Sequence, residues 1–134
     1  TGDRLIIGSD TMVILNNKIY GKPKNEQDAY RMLKSLSGKT HKVVTGLCVI
    51  KELNNIKEVV MTEIISKVTF SKLSDEEIYD YIKTKEPMDK AGAYGCQGLS
   101  KKFIKKINGD FFAVMGLPVN KVYEICKNLN VLNK

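Results

Sequence analysis

Thr40 to Phe70 reads THKVVTGLCVIKELNNIKEVVMTEIISKVTF. β-Branched residues crowd both halves, and between them stands Asn54-Asn55, a pair that tolerates positive φ. Two long strands, Thr40 to Leu53 and Lys57 to Phe70, are therefore expected to lie back to back. Upstream, Arg4 to Gly8 reads as a short buried strand. Met12 to Leu15 and Lys18 to Tyr20 read as a hairpin around Asn16-Asn17, ended by Lys22-Pro23 because proline cannot continue a ladder. Asn25 is the expected cap of a helix with an apolar face of Ala29, Met32, Leu33 and Leu36, stopped at Gly38. Downstream, Ser74 and Glu77 form a capping box ahead of Ile78, Tyr81 and Ile82. Phe103 to Ile107 and Phe111 to Met115 alternate around Asn108-Gly109, which predicts another hairpin. Pro118 opens a last helix through Val122, Ile125, Cys126 and Leu129. The reading is one α/β domain over residues 1–134, with a mixed, largely antiparallel sheet and flanking helices. A plain P-loop or Rossmann plan is disfavoured, because neither fingerprint is present.

Composition narrows the class of function. The 134 residues are 43% hydrophobic and 28% charged, as in an ordinary globular protein. No apolar run reaches the length of a membrane span. The three cysteines, Cys48, Cys96 and Cys126, have no metal-ligand spacing and read as reduced thiols of a cytoplasmic protein. With 22 Lys and Arg against 15 Asp and Glu, the net charge is +7, which favours anionic partners. The lysines are spread along the chain with no interleaved aromatic platform, so nucleic acid is a weaker candidate than a small polyanion such as a nucleoside triphosphate.

Several segments can carry chemistry. In IIGSDT, an apolar strand delivers Asp10 to its end, where open α/β sheets tend to bind ligands. Asp10 is placed to hold a divalent metal or to take a proton from water, or else it is a turn or cap residue. Lys22, set against Pro23, is a point charge for a phosphate or a solvated lysine. His41 is the sole histidine, and without ligand partners at metal spacing it reads as structural. In MDKAGAYGCQG, Met88 to Gly98, Asp89 and Lys90 precede Gly92, Gly95 and Gly98. Gln97 stands between the last two. Glycines there make a turn or clear space for a ligand against the backbone, and an amide can read the edge of a flat base.

Taken together, IIGSDTMV, GKPKNEQDAYRMLKSLSGKTHKVVTG, EPMDKAGAYGCQG and INGDFFAVMGLPV resemble the Maf family of nucleoside triphosphate pyrophosphatases, in order and spacing over nearly the whole chain. The resemblance implies a fold similar to the inosine-triphosphate pyrophosphatases, with two lobes around a nucleotide cleft. It implies a house-cleaning reaction in which water attacks the α-phosphorus and pyrophosphate leaves, assisted by Mg²⁺ or Mn²⁺. By position, Asp10 matches the proton acceptor, Thr11 and Gln97 match positions that set base preference, and Lys22 and Lys90 match cleft lysines. Thr11 together with Gln97 is similar to the subgroup preferring dTTP and UTP, whereas a 7-methyl-GTP subgroup has Glu for the Gln. The glycines are then expected to let the backbone close against the nucleotide. The family's Ser-rich, twin-arginine phosphate loop has no counterpart after Thr1, so the chain reads as lacking that N-terminal segment. A homodimer is implied too. Two other readings stand beside the enzyme: a non-catalytic regulator linked to septum formation, and a basic nucleic-acid-binding module.

Overall fold

The structure, a computed structural model, describes residues 3–132; the reading placed on Thr1 lies outside them. The long hairpin forms as its sequence requires. β3 (Thr40–Leu53) pairs antiparallel with β4 (Ile56–Phe70) from Thr40↔Thr69 to Leu53↔Ile56. Asn54 and Asn55 turn the chain with φ of 52° and 65°, the pair of positive values that a tight hairpin needs. β1 (Arg4–Leu15) lies along the other side of β3, and β2 (Lys18–Tyr20) folds back on its end through Asn16 and Asn17. β5 (Ile104–Asn108) closes the far side. The order is β2-β1-β3-β4-β5, and every pairing among the described residues is antiparallel.

Strand alternation divides this sheet into two faces. On one, Val13, Val43, Val68 and Phe70 pack against α1 (Glu26–Leu36) and α2 (Asp75–Lys83), while Leu47 and Val49 pack against Ile125 and Leu129 of α4 (Val119–Asn128) and its C-terminal cap. Both early helices begin where the sequence says. The Asn25 side chain accepts from the Asp28 N–H, and Ser74 with Glu77 makes a complete capping box. Phe70 and Phe103, each 1% exposed, anchor the core; cutting either back to alanine would cost about 3–5 kcal/mol. The opposite face shows Val59, Met61 and Ile65 to solvent. No helix is long and apolar enough to cross a membrane among the described residues.

Two expectations need correction. Arg4 to Gly8 is not a short buried strand. It is the first part of the single twelve-residue β1, and Leu5, Ile6 and Ile7 are each 42% exposed. β2 reaches only Val13–Leu15, so the start of β1 is an edge with no neighbour on its outer side among the described residues. Phe111 to Met115 is not a strand either; it is the short helix α3 (Phe111–Met115). Asp110 decides this by accepting the Ala113 N–H at 3.1 Å, the bond of a helix N-cap. Gly109, at φ +134°, swings the chain off β5, and any Cβ there would come within 2.6 Å of the Ser66 hydroxyl. That hydroxyl in turn accepts the Asp110 N–H at 3.0 Å. α3 is thus laid across the sheet and not alongside it.

Candidate functional site

Three segments meet at the outer edge of β1, where Ser9, Thr11 and Val13 face the helices and Asp10, opposite Gly46, alternates to the other side. The first is β1 itself at Ser9-Asp10-Thr11. The second is the Gly21-Lys22 bend after β2. The third runs from Lys90 to Gly98, with one 3₁₀ turn at Ala91–Ala93. The Gly92 N–H donates to the Gly21 carbonyl at 3.1 Å, which ties the second segment to the third. Between them lies a cavity of about 550 Å³, closed on its last side by Val114, Met115 and Gly116 at the end of α3. Asp10, Thr11, Lys22, Lys90 and Gln97 all line it. Residues picked from three separated motifs are therefore neighbours around one space.

Each polar group has a readable arrangement. Asp10 lies in the middle of β1 and not at a strand end as expected; it is exposed, and its Oδ1 accepts the Thr11 N–H at 3.0 Å. The other carboxylate oxygen is left open. Thr11 Oγ1 lies 3.1 Å from Thr45 Oγ1, and Thr45 donates to the Ala113 carbonyl at 2.7 Å. A hydroxyl has one proton. Thr45 spends it on Ala113, so Thr11 must donate to Thr45, and only lone pairs of Thr11 remain for the cavity. Ser9 hydrogen-bonds the Gly116 carbonyl at 2.5 Å, fastening β1 to the end of α3. Lys90 lies 3.6 Å from Asp89, a loose surface pair of little strength.

The glycines behave differently from the expectation. Gly95 and Gly98 do line the cavity, but the room made by each missing side chain is taken by the protein itself. A Cβ on Gly92 would meet Val13 at 3.0 Å, one on Gly95 the Lys90 stem at 3.0 Å, and one on Gly98 the Glu86 carboxylate at 2.4 Å. Gly92 and Ala93 both hold positive φ, 72° and 66°. This places Tyr94 edge-on to both Phe70 and His41.

Tyr94 and Glu86 are the residues that sequence reasoning passed over. The signal for Tyr94 was an aromatic inside a glycine run, flanked by small residues on both sides. His41, 2% exposed, lies 2.6 Å from the Tyr94 hydroxyl through Nε2, and its Nδ1 has no partner. It does not line the cavity. Burial holds its pKa at about 4, below the ordinary 6.5. Below pH 6.5 the unfolded chain therefore takes a proton that the native protein refuses. Stability from this group is complete above 6.5 and falls by about 3 kcal/mol as pH drops toward 4. His41→Gln is expected to remove that slope in denaturant titrations while leaving both limbs of any pH–rate profile in place. A lost kinetic limb would give His41 a catalytic role.

No group of three or more His, Cys, Asp or Glu side chains suited to a metal occurs among the described residues. A closed protein cage for a transition metal is thus missing from them. One open carboxylate oxygen does suit a hard cation that keeps its waters and takes its other ligands from phosphate. Cys48, Cys96 and Cys126 are free.

The family model for Maf-like proteins matches residues 1–129. The chain belongs to the Maf-like family. Among curated relatives of this Maf-like chain, a protein of Aquifex aeolicus is 52% identical over 130 residues, 97% of the chain and 66% of the relative. One of Alkaliphilus oremlandii is 54% identical over 127 residues, 95% of the chain and 65% of the relative. A third, of Clostridium novyi, is 47% identical over 129 residues, 96% of the chain and 66% of the relative. All three are named dTTP/UTP pyrophosphatase. The chain thus spans just under two thirds of the length of these Maf-like relatives.

Proposed function

We propose that the protein is a pyrophosphatase of dTTP, UTP and modified pyrimidine nucleotides, working in the cytoplasm as a homodimer. The observation that carries the catalytic part is the convergence of Asp10, Thr11, Lys22, Lys90 and Gln97 on one cavity. The names of relatives about half identical to it support the substrate class. Dimerisation and compartment rest on family resemblance.

In this reading Asp10 takes a proton from a water as its oxygen bonds the α-phosphorus. The bond from that phosphorus to the bridging oxygen breaks on the opposite side, and pyrophosphate leaves with the electron pair. Lys22 and Lys90 offset the charge of the phosphate chain. Gln97 answers the adjacent carbonyl and N–H of uracil or thymine. Thr11 presents an acceptor. The Asp10 carboxylate, with phosphate oxygens, would hold Mg²⁺ or Mn²⁺, which supplies charge neutralisation along the triphosphate.

The test is pyrophosphate release by the natural full-length protein from dTTP, UTP, CTP, GTP and 7-methyl-GTP, with Mg²⁺ or Mn²⁺ and with a chelator. The expected result is preference for dTTP and UTP and loss of turnover without metal. Release from none of the five, or preference for the purines, would overturn the reading.

A further inference from the structure

The turn that presents Gln97 is held from behind by side chains that do not line the cavity. The Gly98 N–H closes it by donating to the Gly95 carbonyl at 3.3 Å. Fully buried Ser100 spans its base, donating to the Gly95 carbonyl at 2.7 Å and accepting the Gly95 N–H at 3.2 Å. Glu86 holds the far end. Both its carboxylate oxygens lie 3.0 Å from the Leu99 nitrogen, which donates, and the Tyr81 hydroxyl donates to Oε2 at 2.7 Å. The fit leaves nothing spare, since a Cβ on Gly98 would lie 2.4 Å from either oxygen. Tyr81 is itself packed edge-on against the core residue Phe103. An unbroken line of contact thus runs from the core through Tyr81 and Glu86 to the peptide beside Gln97.

We infer that Glu86 is a specificity-positioning residue: fixed by Tyr81, its carboxylate sets the Gly95–Leu99 turn and so the angle at which Gln97 meets a base. This rests on the nucleotide reading and deepens it. A carboxylate suits the task because both its oxygens accept, one toward the Leu99 N–H and one toward the Tyr81 hydroxyl, whereas an amide accepts on one side only. Leu99 is 58% exposed, so water can reach its N–H when Glu86 is removed. Removal then costs placement more than folding.

The experiment is a double-mutant cycle in the natural full-length protein, reading kcat/KM for UTP and for GTP in the parent, Glu86→Ala, Gln97→Ala and the double variant. Glu86→Ala is expected to lower the UTP-over-GTP ratio about tenfold, the scale of one misplaced hydrogen bond. In the Gln97→Ala background it should lower the ratio no further, because the two residues act as one unit. Glu86→Gln, which keeps one accepting oxygen, should fall between parent and Glu86→Ala, and it carries the same cycle if the alanine variant does not fold. A parental ratio in a folded Glu86 variant, or losses that simply multiply in the double variant, would overturn the inference. A parent that releases pyrophosphate from no triphosphate defeats the nucleotide reading itself, and this shows before any variant is compared.

Discussion

Asp10→Asn is expected to give a folded protein whose kcat is lower by about 10²–10⁴, the range for losing a general base. The side chain is exposed on an edge strand, and its one hydrogen bond is Oδ1 accepting from Thr11. An asparagine carbonyl oxygen can accept the same N–H, so the local backbone keeps its shape. What disappears is the charge and basicity of the second oxygen, which no lone histidine nearby replaces: His41 lies outside the cavity lining. In the proposed reaction the base acts as the water attacks, so the loss belongs in kcat more than in KM. Steady-state kinetics with UTP, together with a thermal melt to verify folding, make the comparison. Near-parental turnover in a folded variant would remove Asp10 from the chemistry.

Gln97→Glu is the second large expected effect, and it changes choice more than rate. The glutamine is exposed to the cavity at the tip of the turn, so nothing in the core depends on it. Its amide offers a donor and an acceptor side by side, the complement of the carbonyl and N–H of uracil and thymine. An ionised glutamate has acceptors only and suits a base with two donors, as guanine offers at N1 and N2. Leaving one polar group unpaired costs about 1–3 kcal/mol in a closed site. The ratio of kcat/KM for UTP over 7-methyl-GTP should therefore fall by roughly 10- to 100-fold. The lone pairs of Thr11 point into the same space, and an acceptor there is compatible with a donor on either base. An unchanged ratio would make Gln97 structural.

The hairpin of β3 and β4 was legible because two local signals agree. Its flanks are rich in β-branched residues, and its centre is a pair that accepts positive φ. The caps at Asn25 and Ser74 were legible for the same reason, since side chain and period point to one start. α3 was not. Phe-Phe-Ala-Val-Met is too short for its period to separate helix from strand, and Asn108-Gly109 is a strong hairpin signal just ahead of it. The deciding group, Asp110, is positioned by Ser66 on a distant strand, which accepts its N–H. Exposure at Leu5 to Ile7 was equally out of reach, for burial depends on what covers a strand and not on its own letters. At the site, the motifs named the cavity's polar residues. They could not show why glycine is required at 92, 95 and 98, because Val13, the Lys90 stem and Glu86 reach those positions only in the folded chain.

The turn at Asn54-Asn55 has a practical consequence. The cavity reaches furthest toward that turn at Ser9, which pairs with Leu47, and six residues of extended strand, about 20 Å, separate Leu47 from Leu53. Both asparagines are exposed, and neither lines the cavity. A short peptide or fluorophore inserted between them would interrupt no ladder pair and would stand clear of substrate, since exposed loop tips tolerate insertion best. Tethered to a surface by that tip, the protein would leave its cavity facing solution.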